Sequence, residues 1–215
     1  MSRGPFQATR TPKDLAMLTP SHAELPETIE SERLILRAPR PGDGRAANEA
    51  IVETWDELHR WMPWAREPPT VEQSEEQIRD RRAKFTARTA LPMTMWLRDG
   101  GRFLGSADLH HMDWTVPRCE VGFWVRSTFQ GRGYVTEAVR ALTGVAFQIL
   151  MVERVEIQCS HRNVRSQRVA ERCGFALEGR LRNHTREPAG ELRDTMVYAL
   201  MRSDPAAQPS GHGGG

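Results

Sequence analysis

The sequence contains few cysteines and no long apolar run. Its three cysteines are an odd number, and neither their spacing nor the position of His161 matches a zinc motif, so no metal site is predicted. A disulfide framework is excluded, which favours a reducing compartment. No apolar stretch approaches the roughly 20 residues that cross a bilayer, and the N-terminus lacks a signal-peptide pattern. We therefore expect a cytoplasmic protein that does not insert into a membrane.

The charge balance is close to even. The 30 Lys and Arg residues against 28 Asp and Glu residues leave a formal charge of +2. A dedicated nucleic-acid binder usually needs a clearly basic surface, so that class is disfavoured. The 215 residues suit one domain of generous size but not two. Both ends lack periodicity, which predicts a flexible arm over residues 1–27, a domain over 28–202 and a disordered glycine-rich tail over 203–215.

Sequence periodicity predicts the elements of this domain. Alternating apolar and polar residues predict strands at 29–37, 93–97, 103–112, 120–125, 155–159, 175–181 and 195–200. Helical spacing, with Asp43 as a cap and Thr70 with Gln73 as a capping box, predicts helices at 43–53, 55–62, 70–88, 134–150 and 163–173. This order predicts an α+β domain, in which helices pack on a mixed sheet with one parallel step near residue 130.

The strongest local signal is the segment Phe-Gln-Gly-Arg-Gly-Tyr-Val at 129–135, between a strand and a helix. Glycines allow a tight turn, and the first free N–H groups of the helix, with the positive end of its dipole, form an anion site suited to phosphate. Arg126 and Arg132 are predicted to add positive charge at its edge. A plain strand-to-helix turn is the alternative. Thr136 replaces the third glycine of a dinucleotide fingerprint, and no P-loop ending is present.

Two further segments follow the glycine loop by about 30 residues: Asn-Val-Arg-Ser at 163–166 and Glu-Arg-Cys-Gly-Phe at 171–175. Together with the loop they resemble the GNAT superfamily of acyl-CoA-dependent N-acyltransferases. The segments 31–37, 58–64, 120–125 and 177–179 are similar to the RimJ/RimL-like branch, which acetylates the N-termini of ribosomal proteins. The resemblance covers residues 28–202. It departs at Val135, where the family prefers Gly or Ala.

The resemblance implies a GNAT fold, with a mixed, mostly antiparallel central sheet whose two parallel strands splay apart around acetyl-CoA. It implies direct transfer of an acetyl group from acetyl-CoA to a primary amine, and homodimers are common in the branch that it resembles. Pantetheine would lie on the first splayed strand, pyrophosphate on the loop amides, and the thioester near the second helix. The implied cofactor residues are Trp124, Val125, Arg126, Gln130, Gly131, Arg132, Gly133, Tyr134, Val135, Asn163 and Ser166.

The reaction requires a base, because an ammonium has no lone pair, together with N–H donors for the oxyanion and an acid for the thiolate. Glu120 is our candidate base, with a strand-edge carboxylate paired to an arginine as the alternative. Ser166 is our candidate acid by resemblance, with an ordinary helix-face serine as the alternative. The resemblance would place the base after the sixth strand, where this chain has Thr185 flanked by His184 and Glu187.

The acceptor side is predicted from aromatic residues and histidines. Six tryptophans against two tyrosines is an unusual ratio, and three of the tryptophans lie within residues 55–64. By resemblance this segment covers the acceptor, so we expect Trp61, Trp64 and His111 to contact it, with Trp61 buried and Trp64 lining the cleft. A core role is the alternative. Because strand residues alternate, one of His110 and His111 should point toward the cleft.

The acceptor and the donor stay open at this stage. The acceptor is either a protein N-terminus or a small primary amine, and the donor is acetyl-CoA or a longer acyl-CoA such as succinyl-CoA. A non-catalytic acyl-CoA sensor or ribosome-associated binding module is the rival from another class. In that rival, the arginines of 79–82 and 162–168 would contact RNA.

Overall fold

A mixed sheet runs through residues 25–207, the part of the chain that the computed structural model describes. The strand order is β1-β2-β3-β4-β5-β6-β8-β7. The strands are β1 (Thr28–Glu30), β2 (Leu34–Arg37), β3 (Leu91–Leu97), β4 (Phe103–Asp113), β5 (Arg118–Val125), β6 (Arg154–Ser160), β7 (Ala176–Arg186) and β8 (Leu192–Met201). Within these residues every neighbouring pair is antiparallel except β5 and β6, which confirms the predicted mixed, mostly antiparallel α+β fold.

Five α-helices accompany the sheet in the described residues: α1 (Gly44–Glu53), α2 (Trp55–Trp61), α3 (Val71–Thr86), α4 (Tyr134–Gln148) and α5 (Val164–Arg172). The capping box of Thr70 and Gln73 is present at the start of α3. Asp43 precedes α1 but does not cap it, because its carboxylate accepts hydrogen bonds from the Arg37 guanidinium and the Arg40 N–H instead. No helix within 25–207 is long and apolar enough to cross a membrane.

Three boundaries differ from the prediction. Residues 29–37 form two strands rather than one, because Ser31 closes a turn by donating its N–H to the Leu34 carbonyl. Of the predicted arm, residues 1–24 lie outside the described part, whereas Leu25 packs on the core. Of the predicted tail, 208–215 lie outside it, whereas Pro205–Ala207 form a short 3-10 helix. The folded unit therefore extends slightly beyond 28–202 at both ends.

The core lies mainly between the sheet and α4. Alternate strand residues and the apolar face of α4 form its largest cluster, which includes Leu36, Met93, Leu109, Val139 and Leu142, all fully buried. A second cluster joins α1 and α3 to the other side of β4 through Ala50, Ile78 and Phe103. The sheet is thus covered on both faces, and burial of this apolar surface is the main stabilising contribution.

The parallel strands β5 and β6 separate after three paired positions. Arg118 pairs with Arg154, Cys119 with Val155, and Glu120 with Glu156. Beyond Glu120, β5 stays paired with β4 on its other side, and β6 stays paired with β8. Each strand is therefore held on one edge only, and the facing edges form a V-shaped opening. The predicted splayed pair of parallel strands is confirmed.

Candidate active site

Two cavities meet where β5 and β6 diverge. The loop cavity, about 500 Å³, lies between α2, the glycine loop and α5. The histidine cavity, about 760 Å³, lies between α1, α3 and strands β4 to β6, and it contains His110, His111 and Glu120 in its wall. Both cavities are lined by Trp61, Met62, Phe123, Trp124, Asn163 and Ser166. A ligand in one cavity can therefore reach a group in the other without crossing the core.

The glycine loop has the backbone conformation that its sequence requires. Gly131 has φ +73° and Gly133 has φ +83°, and for L-residues this left-handed region costs about 1–2 kcal/mol. Gly133 is the residue before α4 and offers no side-chain cap. The first-turn N–H groups of α4 therefore have neither an intrahelical acceptor nor a cap. Gly131, Gly133, Tyr134 and Val135 line the loop cavity, so these donors border it.

The arginines predicted beside the loop have other partners, which is a correction. The Arg126 guanidinium is buried and donates its Nε–H to Glu53 Oε2 at 2.8 Å. Burial opposes ionisation of Glu53, but hydrogen bonds from Thr128 and Arg126 outweigh it and lower the Glu53 pKa. Arg132 is exposed, and its guanidinium lies 5.3 Å from the centre of the Phe129 ring. Neither side chain lines the loop cavity, because the end of β5 turns Arg126 toward α1.

Positive charge at the loop cavity comes instead from α5. Arg165, Arg168 and Arg172 line the cavity, and Arg165 donates to Gln130 Oε1 at 2.7 Å and to Glu57 Oε1 at 2.9 Å. Their spacing of three and four residues places them on one helix face. This spacing is visible in the sequence, but the sequence-based prediction for Arg165 and Arg168 is an RNA contact, and only if the protein is a non-catalytic binding module.

The first splayed strand supplies the common wall of the two cavities. Trp124 lines both, and its ring lies 6.1 Å from Phe103 and 6.4 Å from Trp64. Val125 lines the loop cavity. Because β5 is unpaired toward β6 beyond Glu120, its backbone can pair there with an extended ligand.

The start of α5 contributes to the same wall. Asn163 is the N-cap, and its Oδ1 accepts the Ser166 N–H at 3.1 Å. Within residues 25–207 the Ser166 hydroxyl forms no hydrogen bond, so it is available to a ligand at the junction. The sequence-predicted pair therefore lies together, on both cavities.

Glu120 occupies the last paired position before the strands diverge. Its side chain is 18% exposed, and its Oε2 lies 3.0 Å from His111 Nδ1. Within residues 25–207 the ion-pair partner of Glu120 is His111, and no arginine pairs with it. By contrast, Asp108 in the same wall is held by two hydrogen bonds from Arg81. Glu120 is therefore the wall carboxylate at the junction that is not neutralised by a permanent cation.

Both histidines of β4 line the histidine cavity, although alternation predicted only one. The pairing of β4 with β5 shifts register between His110 and Asp113, and His111 has φ +49°. This bulge turns two consecutive side chains to the same side. His110 is more buried than His111, and burial lowers its pKa, although the charge of Glu120 opposes the shift. Burial therefore disfavours the protonated form of the His110 ring.

The tryptophan segment differs in burial from the prediction. Trp61 is half-buried rather than buried, and Trp64 is 46% exposed and lines the histidine cavity as expected. The buried residues here are Leu58 and Ala65. The seven-residue helix α2 buries only its Leu58 side, which leaves Trp61 on the cavity wall.

The carboxylate that follows β7 lies behind the cavity wall. Glu187 is buried and accepts the Ser160 hydroxyl at 2.7 Å, while Thr185 accepts the Nε–H of Arg193 at 2.6 Å. Ser160 and Arg193 line the histidine cavity. Cys159 lines it too, but burial raises the pKa of its thiol to about 11, so it is protonated at neutral pH.

The glycine loop with its helix N-terminus lines the loop cavity, Glu120 lines the histidine cavity, and the open edge of β5 borders both. Residues 33–176 match the family described as the acetyltransferase (GNAT) domain. The match covers more than half of the chain, so the chain belongs to the GNAT acetyltransferase family and is an acyltransferase enzyme.

Curated relatives agree with this assignment. YdaF of Bacillus subtilis, which is named as a ribosomal N-acetyltransferase, is 29% identical over 175 residues, which are 81% of this chain and 94% of that protein. The ribosomal-protein-serine acetyltransferase of Escherichia coli is 28% identical over 160 residues, 73% of this chain and 87% of that one. The structure of RimL, a ribosomal L7/L12 α-N-protein acetyltransferase, in complex with coenzyme A has a TM-score of 0.75 over 81% of this chain and 98% of RimL. Its identity is 22%, so this likeness concerns the fold.

Proposed function

We propose that this enzyme transfers an acetyl group from acetyl-CoA to the free α-amino group of a protein N-terminus. The observation that carries the proposal is the junction of the two cavities, with donor groups for an anionic cofactor on one side and Glu120 on the other. The names of the relatives YdaF and ribosomal-protein-serine acetyltransferase favour a ribosomal protein as the acceptor.

The loop cavity suits acetyl-CoA. Its pyrophosphate would bind the first-turn amides of α4, where the helix dipole adds favourable potential. On α5, Arg168 and Arg172, together with Arg165, which is paired with Glu57, provide guanidinium groups for the pyrophosphate and the third phosphate of CoA. Pantetheine would pair with the unpaired edge of β5 at Trp124 and Val125, which brings the thioester to the junction near Ser166.

The chemistry follows from the groups at the junction. Glu120 accepts a proton as the amine loses it, and the amine nitrogen attacks the thioester carbon. Backbone N–H groups on the open edge of β5 stabilise the oxyanion. When the C–S bond breaks, the Ser166 hydroxyl gives its proton to the departing thiolate. The serine regains a proton from solvent, Glu120 releases to solvent the proton that it accepted, and the amide and the CoA thiol leave.

The histidine cavity would receive the acceptor. Trp64 at its mouth and Trp61 at the junction provide apolar surface for the first residues of a peptide, and His111 lies at the rim beside Glu120. The cavity continues to solvent past the exposed Trp64, which allows the remainder of a peptide chain to stay outside. Three free, buried cysteines fit the proposed cytoplasmic location.

A thiol-release assay with the full chain tests this function. Acetyl-CoA is combined with peptides bearing free N-termini, with the same peptides acetylated beforehand and with a panel of small amines. We expect thiol release with free peptides and none with blocked ones, and mass spectrometry should place the acetyl group on the N-terminus. Release with small amines alone would contradict the peptide acceptor. CoA binding without release from any acceptor would contradict catalysis and favour a sensor.

Two parallel measurements address the donor and the assembly. Succinyl-CoA is compared with acetyl-CoA under the same conditions, and we expect acetyl-CoA to have the higher kcat/KM. The homodimer implied by the resemblance is part of this proposal, and light scattering of the full chain measures it directly. A monomer at assay concentration with full activity would remove the dimer from the proposal.

A further inference from the structure

The side chains of His110, His111 and Glu120 form a compact cluster in the histidine cavity. One ligand atom from each of these residues lies within 4.8 Å of those of the other two. The His111 Nδ1 and the Glu120 Oε2 are already 3.0 Å apart, and the two imidazole rings meet edge to face with centroids 4.5 Å apart. Three groups that commonly ligate metals therefore converge on one point.

The backbone creates this convergence at a local energetic cost. Consecutive residues of a regular strand point to opposite faces, so His110 and His111 would normally be separated by the sheet. The bulge after His110 and the φ of +49° at His111 place both rings on the cavity side. A non-glycine residue in this region is uncommon, and such conformations concentrate at functional sites.

We propose that His110, His111 and Glu120 bind a divalent transition-metal ion of the zinc class. Two imidazoles and one carboxylate are a ligand set that Zn²⁺ accepts, with a fourth position left for water or another ligand. Ligands about 2.0–2.1 Å from a tetrahedral zinc ion are about 3.4 Å apart. The cluster reaches this spacing by a small rotation of the His111 side chain, which is 78% exposed.

The surroundings of the cluster permit this coordination. A β-carbon at position 122 would lie only 2.8 Å from His110 Nε2, so Gly122 leaves the room that this ring occupies. The adjoining cavity has space for a metal-bound water.

The ion would also regulate the enzyme, and this part of the inference rests on the proposed function. A metal bound to Glu120 withdraws the carboxylate lone pairs that would accept the amine proton. It also places positive charge where an ammonium would enter. The bound ion therefore inhibits transfer in competition with the acceptor and leaves acetyl-CoA binding unchanged.

Metal titration of the full chain, cleared with a chelator and dialysed, tests the site without any activity measurement. Zn²⁺ is followed by calorimetry and Co²⁺ by visible absorption. We expect a single ion per chain, with the dissociation constant raised more than about 10-fold in His111→Ala and in Glu120→Gln. His161→Ala is the matched control, because His161 bonds to the Asp194 carbonyl away from both cavities, and it should bind as the parent does.

Three results would overturn the inference. These are the absence of binding at micromolar Zn²⁺, equal affinity in His111→Ala and the parent, and loss of binding only when histidines outside residues 25–207 are replaced. Each would leave the cluster as a hydrogen-bonded group without a metal. Inhibition by Zn²⁺ that is reversed by a chelator and competitive with the acceptor supports the regulatory part. Lack of transfer in the metal-free enzyme would contradict the proposed function but not the binding site.

Discussion

The loop cavity and the histidine cavity are built in opposite ways. At the loop cavity the donors are consecutive backbone amides at one helix end, and the arginines share one face of α5. At the histidine cavity Glu120, His110 and Trp64 come from β5, β4 and the segment after α2, and they meet only through long-range packing. A site made of backbone groups depends on local conformation, whereas a site made of side chains depends on the register of several elements.

The two cavities also differ in the type of residue that adopts a positive φ angle. At the loop, positive φ angles fall on Gly131 and Gly133, where they are inexpensive. At the histidine cavity a positive φ falls on His111, where it must be maintained by the neighbouring strand pairing. The loop should therefore tolerate changes elsewhere in the fold better than the histidine cluster does.

The largest expected effect is a loss of acetyl-CoA affinity caused by a substitution in the glycine loop. Gly133→Glu places a side chain at φ +83° and a negative charge among the α4 amides. We expect acetyl-CoA affinity to fall by about 100-fold or more, since each tenfold loss corresponds to about 1.4 kcal/mol and charge and strain both contribute. Calorimetry on the folded variant measures this. Gly144→Glu on the same helix is the control, because a β-carbon there meets open space. Normal binding by Gly133→Glu would refute the loop as the phosphate site.

The second-largest expected effect is on turnover, and it distinguishes the role of the histidine cavity from that of the loop cavity. Glu120→Gln removes the candidate base, so we expect kcat to fall by about 100-fold at neutral pH with an unchanged dissociation constant for acetyl-CoA. Steady-state kinetics and calorimetry are measured on the same preparation. Glu30→Gln, in an exposed ion pair at the far edge of the sheet, is the control. Unchanged turnover would remove Glu120 from the mechanism.

Ser166→Ala should lower turnover less strongly than Glu120→Gln does. The hydroxyl is expected to assist thiolate departure, so its loss should lower kcat by about 10-fold while the Asn163 cap and cofactor affinity persist. A series of acyl donors with thiols of different acidity measures the contribution. The effect should shrink as the leaving thiol becomes more acidic, and a constant ratio across the series would argue for a structural role alone.

A stability change tests the connection between α1 and the loop. Glu53→Gln leaves the buried Arg126 guanidinium without its carboxylate, and we expect a loss of about 2 kcal/mol in the free energy of unfolding. Urea denaturation followed by fluorescence and circular dichroism provides the value. Glu153→Gln, which breaks an exposed pair with Arg202, should change it by less than about 0.5 kcal/mol. Equal effects of the two variants would contradict the importance of burial.

The smallest effect is a difference in acid sensitivity. Burial lowers the pKa of His110, so below its unfolded value of about 6.5 the unfolded chain gains a proton that the folded chain resists, and stability falls. Burial also opposes ionisation of Glu137, but hydrogen bonds from Arg33 and Ser31 outweigh it and lower that pKa. Its contribution is present above about pH 4.3 and is lost below it as the carboxylate becomes protonated.

Denaturation curves across pH check this difference. His110→Gln should flatten the stability profile between about pH 7.5 and 5.5, and Glu137→Gln should flatten it only below about pH 5. The histidine side is thus expected to weaken first on acidification. A stability profile of His110→Gln that matches the parent between about pH 7.5 and 5.5 would contradict the lowered pKa of this ring.

The sequence predicted most elements within a few residues, because alternation, helical spacing and caps are local properties. The capping box at Thr70 and the cap at Asn163 are examples. The break between β1 and β2 was missed because Ser31, Glu32 and Arg33 continue a polar pattern. Their turn is stabilised by Glu137, which accepts hydrogen bonds from the Ser31 hydroxyl and the Arg33 N–H. Because Glu137 is distant in sequence, the residues around the turn do not reveal this contact.

The sequence predicted the partners of charged side chains less well than it predicted the strands and helices. Arg126 adjoins the glycine loop in sequence, yet its guanidinium meets Glu53 on α1. Proximity along the chain indicates where a backbone lies but not the direction of a long side chain. The arginines of α5 were overlooked at the loop cavity for the same reason, since only the packing of α5 beside the loop brings them there.

By itself, the sequence determined the glycine loop, the helix that follows it and the order of strands and helices, because these depend on backbone preferences and short-range periodicity. Only the tertiary structure decided that both histidines share one face with Glu120, that Arg126 is neutralised and that Trp61 stays on a cavity wall. The physical reason is that a bulge, an ion pair and a cavity wall each need partners from separate strands and helices. Strand register and the packing of helices on the sheet decide which residues become those partners.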